Sequence, residues 1–183
     1  MSKSLLKLLD NSIFPACILI LGKLVGVLLT LWYFNIPFSL RDYFSNIYSL
    51  RFIVQEESIK SVTSYSDLIM YIVIAVFFSI TIIRAVFLHN THVKPTLVTK
   101  LANSNLLRLV QSSYDIYHAS TVWLIFLWVA NIIVLINVFS GNTMAWVLIF
   151  CTISSVLLTA ALLQDVFKEI ESIKHKPGEY QWS

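Results

Sequence analysis

Two apolar runs joined by three polar residues decide the fold: Ala119–Phe139, ASTVWLIFLWVANIIVLINVF, then Ser140-Gly141-Asn142, then Thr143–Val166, TMAWVLIFCTISSVLLTAALLQDV. A helix needs about 20 mostly apolar residues to cross the roughly 30 Å of hydrocarbon in a bilayer. Each run meets that length, and a link this short can only join antiparallel helices. The pair therefore reads as a transmembrane hairpin. Two more runs qualify further upstream, Ile13–Phe34 and Leu68–Leu88. The sequence predicts an all-α, integral membrane four-helix bundle forming one domain over residues 1–183, with spans at about 13–34, 68–88, 119–139 and 143–166.

The composition agrees. Of the 183 residues, 57% are hydrophobic and only 13% charged, against about 25% charged in a typical soluble domain. That surface is too poor in charge for water alone, so lipid is the expected solvent. Lys3 and Lys7 precede the first run as they would in a signal peptide. The run is too long for such a peptide and no small-residue cleavage site follows, so the expectation is a retained first helix.

Basic residues set the expected orientation. With the N-terminus inside, nine face the cytoplasm (Lys3, Lys7, Arg84, Lys94, Lys100, Arg108, Lys168, Lys174, Lys176) and three face outward (Arg41, Arg51, Lys60). Positive charge is retained on the cytoplasmic side, which places both termini there. With no targeting signal in evidence, the expected location is a bacterial inner membrane. Trp32, Tyr33, Trp146, Tyr65 and Tyr71 then fall near the outer boundary, where amphipathic rings are favoured. The outer segment 37–67 reads as a short interfacial helix from Ser39 through Leu50, followed by a more mobile stretch from Gln55 to Ser66.

On the inner side, 96–118 and 167–176 extend the third and fourth helices beyond the membrane as a helical hairpin. Leu106, Val110, Tyr114 and Tyr117 recur at helical spacing, as do Leu163, Val166, Ile170 and Ile173. With the turn centred on Gly141, Asp115 should lie opposite Lys168 and Arg108 near Glu171. Tyr114, Tyr117 and Phe167 are the expected cytoplasmic surface for a protein partner.

Lys23 is the residue most out of place. A lysine at the centre of a span costs about 2.5–3.5 kcal/mol on insertion scales. It is bracketed by Gly22 and Gly26, a spacing of small residues that lets another helix approach closely. Ser79, Asn131, Ser154 and Ser155 lie at similar depth in the other spans, which suggests an intramembrane polar cluster. No acidic partner falls inside the expected hydrocarbon region, so an ion-pair relay is not expected. Lys23 serves either to bind a proton or anion or to fix helix register.

Enzyme chemistry finds no support. No serine stands in a nucleophile elbow, and the four glycines, at 22, 26, 141 and 178, form no phosphate loop. Cys17 and Cys151 fall at different depths in different helices and read as small hydrophobes. No metal site is expected. His89 and His118, at the inner ends of the second and third helices, are a weak candidate pair for haem, which needs facing imidazoles; no cofactor is expected. The readings that remain are a non-enzymatic structural or assembly subunit of a larger membrane complex, a small transporter or channel using Lys23, and a haem-binding anchor. The expected partners are the lipid bilayer and other membrane or cytoplasmic protein subunits, and no nucleic acid.

Overall fold

The computed structural model describes residues 3–36, 56–87 and 113–174. Among the described residues the chain is all-helical, with four helices: α1 (Lys3–Tyr33), α2 (Glu56–Phe87), α3 (Ser113–Phe139) and α4 (Ala145–Lys174). All four are long and apolar enough to cross a membrane. The interfacial helix expected after Ser39, the inner extension from 96 to 112, and His89 lie outside the described residues.

The helices stop where the chain can turn. Beyond Tyr33, Asn35 adopts a left-handed φ of 51°. The Ile36 amide then donates to the Leu31 carbonyl at 3.0 Å and the Asn35 amide to Trp32 at 3.2 Å. Gly141, at φ 75°, closes α3 in the same way: the Asn142 amide donates to Asn137 and the Gly141 amide to Val138, both at 2.9 Å. Each is a Schellman ending, in which a left-handed residue lets the next amides satisfy the last helical carbonyls.

The α2–α3 pair forms the centre of the bundle, and α1 and α4 each pack on both. The core follows helical periodicity. Met70, Tyr71, Ile74, Phe78 and Ile82 of α2 meet Trp123, Leu127, Ala130 and Val134 of α3, with Val147, Cys151 and Leu162 from α4. The opposite faces are apolar too: Ile125, Ile132 and Ile136 on α3 and Ile149, Ile153 and Leu157 on α4 are exposed. Apolar residues both inside and outside fit a lipid solvent, in which the outward face needs no polar cover.

The second helix differs from its sequence-based reading. It begins at Glu56, about three turns before the apolar run at Leu68. The segment 56–66, expected to be mobile, is the start of α2. It contains no Gly or Pro, and Val62, Ser64, Ser66 and Asp67 are all buried. Hydropathy alone marks where lipid contact begins, whereas this helix continues upstream because its polar face is covered by neighbours.

Candidate functional site: an ion pair that gathers the four helices

The chemistry of this region starts from two glycines. A Cβ on Gly26 would lie 2.8 Å from the Ser66 carbonyl oxygen and 3.0 Å from its Cα, and one on Gly22 would lie 3.4 Å from the Met70 Cα. The absent side chains let α1 and α2 touch backbone to backbone. Lys23, between them, is thereby carried to the polar face of α2.

There Lys23 Nζ donates to Ser66 Oγ at 2.8 Å and forms an ion pair with Asp67 Oδ1. The other carboxylate oxygen, Oδ2, accepts from Asn137 Nδ2 at 2.9 Å and from Thr143 Oγ1 at 2.6 Å. Asp67 is completely buried, while the Lys23 side chain is 32% exposed. A carboxylate out of water is tolerated only when its charge is matched and its lone pairs are filled, and this one has both conditions met. Its partners come from α1, from α3 and from the turn into α4, so one side chain on α2 touches every other part of the bundle.

The turn is fastened to α2 a second time. The Met144 amide, at the entry to α4, donates to Ser64 Oγ at 2.9 Å. Ser64 in turn donates to the Lys60 carbonyl, and Ser66 to that of Thr63. The Asp67 charge also lies close to the amino-terminal end of α4, where the helix dipole favours an anion.

The expected polar cluster divides. Lys23 bonds with Ser66 and Asp67, two positions the sequence reading left out of the span. Ser79 donates within its own helix to the Ala75 carbonyl. Asn131 accepts from Thr152 at 3.4 Å. Ser155 meets the Tyr71 hydroxyl at 2.9 Å in the core, and Ser154 is half-buried beside it on α4. The expectation that Lys23 lacks an acidic partner is therefore corrected. A lysine stem spans several ångströms, so depth counted at its Cα misplaces its charge. The signal that could have found Asp67 was the lysine itself, which needed an acid within reach of a glycine-lined contact.

At the opposite end, Tyr117 donates to Asp165 Oδ2 at 3.0 Å across α3 and α4. Phe167 is 67% exposed, and of Tyr114 only the helical backbone is described. His118 is half-buried on α3. Among the described residues no group of three or more His, Cys, Asp or Glu could hold a metal ion. A search of known protein families, of curated proteins and of solved structures finds no match to this chain.

Proposed function

We propose that the protein is a non-enzymatic integral membrane subunit or assembly factor of a larger membrane complex, with both termini in the cytoplasm of a bacterial cell. One observation carries the reading. The buried charge of Asp67 is spent on holding helices, its two oxygens taken by Lys23, Asn137 and Thr143 of the same chain. Polar groups used in this way build a rigid scaffold with no substrate position among them. The exposed Phe167, beside Leu163 and Ile170, supports a protein-facing surface at the cytoplasmic end, formed with Tyr114 and Tyr117. Purification of the tagged full-length chain in mild detergent tests the proposal. Stoichiometric partners that are lost with Phe167→Lys, while the bundle keeps its thermal stability, are expected. A monomer at every detergent concentration would overturn it.

A transporter using Lys23 is the second reading. It is favoured by the asymmetry of the pair, since the lysine side chain is one-third exposed and the aspartate fully buried. Reconstituted vesicles would then show a proton or anion flux that Lys23→Met abolishes.

A further inference from the structure

Three aromatic contacts run across three helices at the end of the bundle that carries the α3–α4 turn. Tyr33 meets Phe34 at 5.2 Å, Phe34 meets Tyr65 at 5.5 Å, and Tyr65 meets Trp146 at 6.2 Å between ring centroids. All four rings are exposed, Tyr33 at 75% and Trp146 at 44%. Amphipathic rings collect where hydrocarbon gives way to headgroups, so the row is a natural boundary marker.

Counting toward the other end, from this row on α1, α2 and α4 and from the turn on α3, gives a similar length for each helix. Tyr33 to Ser12 on α1 is about 31 Å at 1.5 Å per residue, and Ser12 is preceded by Asn11 and Asp10. Tyr65 to Arg84 on α2 is about 28 Å, Ser140 to His118 on α3 about 33 Å, and Trp146 to Asp165 on α4 about 28 Å. Each count ends where polar or ionisable sequence begins, and each matches the roughly 30 Å of hydrocarbon. The four helices have no sequence relation that would force this agreement.

We infer that the bundle is seated in a phospholipid bilayer with one headgroup layer at the Tyr33–Phe34–Tyr65–Trp146 row and the other at the level of Ser12, Arg84, His118 and Asp165. The seating has a consequence for the ion pair. Asp67 lies two residues inside Tyr65, about 3 Å along the helix. Its partners Asn137 and Thr143 flank the α3–α4 turn. The charges therefore sit beneath one headgroup layer, and the Gly22–Met70 and Gly26–Ser66 contacts set the Lys23 Cα about one turn inside Tyr65, close to the level of Asp67. The first turns of α2, from Glu56, stand clear of the hydrocarbon. This inference needs only that the helices cross a membrane, and holds whether or not a partner protein exists.

Two lipid-facing tryptophans report the depth. Trp128 lies near the centre of the proposed slab and Trp146 at its edge, and both are exposed. Single-tryptophan proteins retaining one or the other, with the remaining tryptophans changed to Phe, are reconstituted with phosphatidylcholine brominated near the headgroup or near the chain end. Trp128 should be quenched at least twofold more by the chain-end bromines, and Trp146 at least twofold more by the shallow ones. Because Trp123 is a core residue whose loss could disturb folding, the same ordering is read from spin labels on Ile132→Cys and Trp146→Cys in a Cys17→Ser background. Oxygen should relax the first more strongly, and a water-soluble nickel chelate the second. Equal depths or the reverse order in a folded protein by either method would overturn the seating.

Discussion

A Cβ placed on Gly26 would sit 2.8 Å from the carbonyl oxygen of Ser66, closer than such atoms approach without something moving. Gly22, one turn away, has more room, its nearest neighbour being the Met70 Cα at 3.4 Å. The two glycines thus differ in what they tolerate. Gly26→Ala should push α1 from α2 and cost about 1–3 kcal/mol, the range for overpacking a tight contact. Gly22→Ala should cost well under that, and Leu28→Ala on the exposed face should fall near it. Thermal unfolding in one detergent ranks the three, and equal tolerance at 22 and 26 would show that the helices do not meet at this closeness.

The ion pair makes a prediction opposite to the one its sequence invites. A lone intramembrane lysine should be improved by Lys23→Met, since the insertion cost disappears. With Asp67 fully buried against it, the same change strands a carboxylate, and breaking one side of a buried pair costs about 3–5 kcal/mol. Lys23→Met should therefore destabilise, and Asp67→Asn should destabilise through loss of the charge match. The double variant should recover most of the loss, because neither charge is left unpaired. A cycle of unfolding midpoints measures the coupling, and strictly additive effects would show that the two residues do not interact.

The four long apolar helices and the α3–α4 turn were legible in the sequence because hydrophobic length and a three-residue link leave few alternatives. The glycine pair around Lys23 was legible as a close-contact motif. The acid that completes the site was not. Asp67 ends a run of polar residues, Ser61 to Asp67, interrupted by Val62 and Tyr65, and a hydropathy boundary drawn at Leu68 discards all of it. Helices are bounded by capping and by neighbours as well as by lipid, and here α3 and the turn into α4 cover the polar face of α2. Asn137 and Thr143 were invisible for the same reason, since their roles exist only once Asp67 is placed.

The hairpin register can be tested at the end away from its turn. Tyr117 and Asp165 stand 24 residues before and after Gly141, and they are hydrogen-bonded at 3.0 Å. That bond holds the register over about six turns of each helix. Tyr117→Phe should cost about 1 kcal/mol, with unfolding temperature as the readout. Continued on the same register, Asp115 falls opposite Lys168, so cysteines at 115 and 168 should crosslink with a short bifunctional maleimide. Efficient lipid labelling of both sites without crosslinking would mean that the helix ends splay apart on the membrane.

Sidedness gives the last prediction. The aromatic row and the polar level opposite it fix where the membrane lies along the bundle but not which face is cytoplasmic. Charge makes the prediction. Nine Lys and Arg residues flank the end bearing Arg84 and Lys168, and three flank the end bearing the aromatic row. Moving positive charge across a membrane is resisted during insertion, so the richer side stays inside. Reporter fusions after residue 176 and within 96–104 should read cytoplasmic, and those within 53–62 external. Because nine against three is a difference of six, neutralising Lys3 and Lys7 together should leave the orientation intact. Adding four lysines within 53–62, with Lys94, Lys100 and Arg108 also neutralised, should produce a mixed population. An external C-terminus in the unaltered protein would reverse the cytoplasmic assignment of Phe167 and Tyr117, and with it the proposed partner surface.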